Sequence, residues 1–170
     1  MKTRIIAVQL NTLLLTAILT ATGCSKQNPA TASNPGSPEV KTTSPDLIEP
    51  NAGVGKLRKG MNKQQVEAAI GKPEKIDSSG AWWTYSNRYM TLFFDDSGVI
   101  KSIDCSSPFA GATKEGIRIG STRAELVAAY GNPTGMDAAS MESAYMVVYQ
   151  PLHMNVFLIS GKVSELIIKF

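Results

Sequence analysis

Gly116 to Pro133 reads Gly-Ile-Arg-Ile-Gly-Ser-Thr-Arg-Ala-Glu-Leu-Val-Ala-Ala-Tyr-Gly-Asn-Pro. Sixty residues earlier, Lys56 to Pro73 reads Lys-Leu-Arg-Lys-Gly-Met-Asn-Lys-Gln-Gln-Val-Glu-Ala-Ala-Ile-Gly-Lys-Pro. Gly60 matches Gly120, Val66 matches Leu126, Ala68-Ala69 match Ala128-Ala129, and Gly71-x-Pro73 matches Gly131-x-Pro133. A self-match at fixed offset means that one structural phrase is used twice. Each phrase predicts a short helix with both ends marked. Thr122 is an N-cap and Glu125, three residues on, completes a capping box; Asn62 and Gln65 hold the same places in the first copy. Val66, Ala69 and Ile70 share one helix face, as do Leu126, Ala129 and Tyr130. Gly71 and Gly131 are placed to end the helix in a left-handed conformation, and the proline two residues on prevents its continuation. Gly60 and Gly120 permit a tight turn into it. These glycines have the spacing of neither a dinucleotide loop nor a P-loop, so they read as backbone geometry.

Working outward, each helix is followed by strand-length aromatic and β-branched runs bounded by turn residues. The first set is Trp82 to Ser86, Tyr89 to Asp95 and Val99 to Cys105. The second is Tyr145 to Tyr149, His153 to Ile159 and Lys162 to Phe170. Gly161 matches Gly98 at an offset of sixty-three, which implies an insertion within Gly135 to Ser143. The expected fold class is therefore α+β. It comprises two tandem modules, 55–107 and 108–170, each a short helix followed by a three-stranded antiparallel meander with the helices on one face of the sheet or sheets. One helix over three strands is a thin core, so the modules are expected to pack together or join their sheets.

The N-terminal region has a different character. Lys2 and Arg4 precede an apolar run from Ile5 to Thr22, the arrangement of a secretory signal. It closes on Ala21-Thr22-Gly23-Cys24, which resembles the bacterial lipobox, in which the signal is cut before the cysteine and the thiol takes a diacylglycerol. The expected layout is a signal peptide over 1–23, then lipidated Cys24 and a Pro/Ser/Thr-rich disordered tether over 24–54. That stretch holds too little apolar residue to offset its ordering entropy. Two or three acyl chains, at about 0.8 kcal/mol per buried methylene, would hold the protein on a membrane. The implied location is the cell envelope. In a two-membrane host it is the periplasmic face of the outer membrane, since Ser25 rather than aspartate follows the cysteine; otherwise it is the outer face of the cytoplasmic membrane. Cleavage removes Lys2 and Arg4 and no acidic residue, taking the formal charge from +3 to +1. With no charge run or basic-aromatic stripe, nucleic acid is not expected as a partner.

The pattern Gly-Met/Ser, Val/Leu, Gly-x-Pro, Trp-x-Tyr, Leu-x-Phe, Gly-x-Val/Ile resembles the SmpA/OmlA (BamE-like) family of envelope lipoproteins. Gly60, Met61, Val66, Gly71, Pro73, Trp83, Tyr85, Leu92, Phe94, Gly98 and Ile100 carry it. In the second copy they are Gly120, Leu126, Gly131, Pro133, Phe157, Gly161 and Val163. The module is also similar to each half of the β-lactamase inhibitor proteins. The resemblance implies a non-enzymatic protein-binding or scaffold role in outer-membrane or envelope assembly. The alternative is an inhibitor of an extracytoplasmic enzyme.

Catalytic chemistry has little to rest on. With Cys24 assigned to lipid, Cys105 is left without a disulfide partner and reads as a small buried hydrophobe. His153 is the single histidine, so neither a His-based metal cluster nor a Ser-His-Asp arrangement is indicated. Asp95-Asp96-Ser97-Gly98 lacks the later ligands of an EF-hand and reads as a hairpin turn. No metal, cofactor or enzymatic activity is expected.

Strand alternation gives one sharper expectation. If Trp83, Tyr85, Leu92 and Phe94 face the helix, then Trp82, Thr84, Thr91 and Phe93 face away. By matched register, Tyr145, Val147, Tyr149, Val156 and Leu158 would also face away. Such a face is too apolar to be freely solvated. Either the sheets or the tether cover it, or it binds a partner through Trp82, Phe93, Tyr145 and Tyr149.

Overall fold

The structure, a computed structural model, describes residues 46–138 and 143–170. Cys24, the signal sequence and the tether up to residue 45 lie outside the described residues. Three two-residue strands come first, β1 (Ile48–Glu49), β2 (Gly53–Val54) and β3 (Leu57–Arg58), paired in that order. Next come α1 (Lys63–Ile70), β4 (Lys75–Ile76), β5 (Trp82–Tyr85), β6 (Met90–Phe94) and β7 (Ile100–Ser106). The chain then passes to α2 (Arg123–Tyr130), β8 (Gly135–Ala138), β9 (Ala144–Tyr149), β10 (Met154–Ile159) and β11 (Lys162–Lys169). Strands β4 to β11 form one antiparallel sheet in the order β4-β5-β6-β7-β11-β10-β9-β8.

This corrects the expected α+β pair of helix-plus-three-strand modules. The described chain is mainly β: eleven strands in two antiparallel sheets, of three and eight strands, against two eight-residue helices. Four strands follow each helix, because the segment after Gly-x-Pro runs directly into an outermost strand, β4 or β8. Separate meanders would leave β7 and β11 with unpaired edges. Pairing Glu165–Lys169 with Ser102–Ser106 satisfies both and makes one sheet.

The end of the expected tether is also corrected. Residues 46–54 are structured, with Ile48 fully buried and its N–H donating to Ala112 O at 2.9 Å. Two apolar residues, Ile48 and Val54, pair across the first hairpin and join the core. Gly53 makes the neighbouring pairing of β2 with β3 possible, since a Cβ there would run into the Leu57 carbonyl.

Both helices start and stop as their sequences direct. Asn62 and Thr122 accept from the N–H groups of Gln65 and Glu125, whose side chains accept from the cap N–H groups in return. The next orphan donors go to the sheet: Lys63 N–H donates to Gly98 O and Arg123 N–H to Gly161 O. At the far ends, Tyr85 Oη–H donates to Gly71 O (3.0 Å) and Tyr149 Oη–H to Gly131 O (3.1 Å). Each helix is thus tied at one end to a hairpin turn and at the other to a strand tyrosine. Gly71 and Gly131 have positive φ with extended ψ (92°, −176° and 77°, −167°), a region open only to glycine and distinct from the expected left-handed helical one.

The helices contribute Val66 and Leu126 to a core built mostly from one face of the large sheet. That face carries Trp83, Tyr85, Leu92, Phe94, Ile103 and Cys105 from the first half. From the second it carries Val147, Tyr149, Val156, Leu158, Leu166 and Ile168. The expected outward orientation of Tyr145, Val147, Tyr149, Val156 and Leu158 is therefore wrong. Phe94 pairs with Ile100, six residues on, whereas Leu158 pairs with Val163, five residues on. The second hairpin is one residue shorter, so matching the strands through Gly98 and Gly161 slips the register by one and inverts every side chain. Matched through Tyr85 and Tyr149, the halves agree.

Candidate interaction face

The other face of the eight-stranded sheet is built from the remaining parity. In β5 and β6, Trp82 lies directly opposite Phe93 and Thr84 opposite Thr91. The Trp82 and Phe93 rings are tilted, with centroids 4.7 Å apart, and Lys101 Nζ lies 5.9 Å from the Phe93 centroid. Phe93 and Thr91 are followed across the ladder by Ser102 and Asp104 of β7. These in turn face Lys169 and Ile167 of β11, with Glu165 opposite Ser106. Asn155 and Phe157 of β10 stand opposite Ile167 and Glu165, and Val148 and Met146 of β9 stand opposite them. The apolar members of this face, Trp82, Phe93, Ile167, Phe157, Met146 and Val148, do not belong to the core cluster. Trp82 is 45% exposed and the other five are half-buried.

Two carboxylates sit at the seam between the halves. Asp104 and Glu165 are both half-buried, on adjacent strands and diagonal to one another. Ser102 Oγ–H donates to Asp104 Oδ1 at 3.1 Å. Burial raises the Asp104 carboxyl above the usual carboxylate range, opposed by the Ser102 hydrogen bond and by Lys169. Burial also raises Glu165, and the charge on Asp104 raises it further. Neither carboxylate forms an ion pair among the described residues, where the single salt bridge is Arg58–Glu49 (3.0 Å) in the small sheet.

Of the residues expected to bind a partner, Trp82 and Phe93 stand together on this face. Tyr145 packs partly buried against the core on the opposite face, and Tyr149 is 3% exposed with its hydroxyl committed to Gly131. Cys24 lies outside the described residues. Asp104, Glu165, Ile167, Phe157 and Met146 were missed. The alternation Ser102-x-Asp104-x-Ser106, with Ile103 and Cys105 between, carries the signal for the seam, and following it across the ladder would have placed Asp104 on the open face.

Elsewhere the chemistry is quiet. A groove of about 360 Å³ beside α2 is lined by Glu115, Ile117, Ser121 and Glu125 among others. Its carboxylates are engaged, Glu125 in the capping box and Glu115 accepting from Tyr130 Oη–H at 2.8 Å. Cys105 is fully buried, and that burial pushes its thiol far up, the state of an inert structural cysteine. His153 closes the turn between β9 and β10 with φ 47°, the place that Tyr89 holds between β5 and β6 with φ 55°. Among the described residues no group of three or more His, Cys, Asp or Glu is placed to hold a metal ion. Among the same residues no helix is long and apolar enough to cross a membrane.

No family model matches the chain, and no curated protein does. Among solved structures it is similar to the crystal structure of a DUF4309 family protein (YjgB) from Bacillus subtilis subsp. subtilis str. 168. The identity is 14%, the match covers 64% of this chain and 77% of that one, and the TM-score is 0.48.

Proposed function

We propose that this protein is a non-enzymatic envelope lipoprotein, anchored through acylated Cys24, that binds a partner protein on the open face of its eight-stranded sheet. One observation carries the reading. The large-sheet residues of the core share one face, while the other face presents the Trp82–Phe93 pair and, beyond Ser102 and Asp104 of β7, the side chains of Ile167, Phe157, Met146 and Val148, all outside that core. Aromatic pairs of this kind anchor protein interfaces, where a few large side chains supply most of the affinity. Anchoring follows from the lipobox-like ending at Cys24, and an envelope-assembly role from the resemblance to SmpA/OmlA lipoproteins.

The binding test is pull-down from native membranes with the wild-type chain and with Trp82→Ala/Phe93→Ala. Loss of specific partners from a variant that still unfolds in one cooperative transition supports the reading, and unchanged capture sinks it. Barrel-assembly components among the partners favour a role in assembly, whereas one soluble hydrolase favours inhibition. Anchoring is tested by partition into detergent: the wild-type chain enters the detergent phase and Cys24→Ser stays in the aqueous one.

A further inference from the structure

Resting on that reading of the open face, we infer that the bound partner seats a cationic side chain, an arginine or lysine flanked by apolar residues, over Asp104 and Glu165 at the β7–β11 seam. The argument begins with what stands opposite each carboxylate. A Lys or Arg directly across the ladder would neutralise Asp104 or Glu165 at little cost, as cross-strand pairs commonly do. The positions opposite them hold Ile167 and Ser106 instead. The other neighbours are neutral too: Thr91 of β6 opposite Asp104, and Phe157 of β10 opposite Glu165. Lys169, opposite Ser102, is the nearby cation that Asp104 senses, and it makes no ion pair with it. Lys101 is turned toward Phe93. The sheet thus holds two like charges, half-buried and diagonal to each other, that make no direct ion pair among the described residues and have Lys169 as a more distant cation beside Asp104.

In the unbound chain this arrangement is unfavourable, because burial weakens solvation of both charges and each disfavours ionisation of the other. The same arrangement suits an incoming cation. The tilted Trp82–Phe93 pair lies on one side of the seam and Phe157 with Met146 on the other. A guanidinium between two carboxylates forms paired charge-assisted hydrogen bonds, and apolar neighbours on the same segment cover the flanking rings. Two carboxylates with an aromatic and aliphatic surround match a polypeptide cation better than a metal ion, which takes six or more oxygen ligands when it is calcium.

A benzophenone amino acid placed at Thr91, opposite Asp104, tests both levels of the argument. The full chain is photo-crosslinked in the cells that make it, and the joined partner peptide is mapped. The partner is then purified, and its affinity is measured for the wild-type chain and for Asp104→Asn/Glu165→Gln. The mapped peptide is expected to contain arginine or lysine. Binding to the neutral variant should be at least tenfold weaker at pH 7.5, with no fall in its thermal midpoint. Replacing the partner's cation with glutamine, which leaves this chain untouched, should give the same loss without adding to the first. If the partner crosslinks but binds the neutral variant as tightly as wild type, the cation is overturned and the open-face reading stands. If nothing crosslinks from Thr91, both fall.

Discussion

The two faces of the eight-stranded sheet are made from the same strands, residue by residue in alternation, yet they differ in kind. On one, Leu92, Ile103, Val156, Leu166 and Ile168 are fully buried under two helices and the small sheet. On the other, rings, aliphatic chains and two carboxylates that make no ion pair among the described residues share a half-buried surface outside the core. The core face illustrates what stability requires: close packing, satisfied polar groups, and helices fastened at each end. The open face departs from those requirements, keeping charges that weaken the isolated chain. A surface retained against stability in this way is a reasonable place to look for function.

Substitutions on the two faces should separate accordingly. Leu166→Ala, at the centre of the core face, should cost about 2–5 kcal/mol in chemical denaturation; a loss under 1 kcal/mol would mean that the face is not packed as described. The tyrosine ties come next. Tyr85→Phe and Tyr149→Phe should each cost about 1 kcal/mol, since each strips the hydroxyl from a bond to a helix-ending glycine carbonyl. Equal losses would show that the halves are fastened alike, and a marked inequality would break that equivalence. On the open face, Trp82→Ala should cost about 0.5–1.5 kcal/mol, the scale of one aromatic pair, and should affect partner binding far more than folding.

The smallest effect has the opposite sign. Asp104→Asn with Glu165→Gln should gain about 0.2–1 kcal/mol near neutral pH, the scale of a cross-strand pair. Both carboxylates have raised folded-state pKa values, so their ionisation opposes folding. The penalty is fully present above the folded-state pKa values and fades as pH falls through them. The advantage of the neutral variant in thermal midpoint should therefore shrink between pH 7 and pH 4. An advantage independent of pH would refute the electrostatic account.

Much of the architecture was legible in the sequence where local chemistry is strong. The capping boxes at Asn62 and Thr122, the glycines that end both helices and the strands β5, β6, β7, β9, β10 and β11 all carry signals that act within a few residues. What escaped was set at longer range. β4 and the three strands before α1 have only two residues each, too short to show alternation, and they exist because neighbouring chain offers them ladder partners. The merging of the strands into one sheet rests on β7 meeting β11, a pairing that no local pattern announces. For the candidate face, Trp82 and Phe93 were readable because the first half contains its own register marks, Trp83 and Tyr85. Tyr145 and Tyr149 were assigned to the wrong face because one residue fewer in the β10–β11 hairpin reverses everything read through it. Asp104 and Glu165 look ordinary in sequence. Only the ladder reveals that isoleucine and serine stand where a counter-charge would be expected.

The place of β11 has a consequence for how the chain is made. It is the last of these strands to be synthesised, yet it lies in the middle of the large sheet, between β7 and β10. A polypeptide that emerges N-terminus first, from a ribosome or across a membrane, must hold the finished border of β7 open until everything between Ser106 and Lys162 has followed. During that interval the first half offers a row of free amides and carbonyls to any other strand nearby. Chaperone dependence and mispairing should therefore concentrate on chains halted within that span, and should end once β11 has emerged to dock.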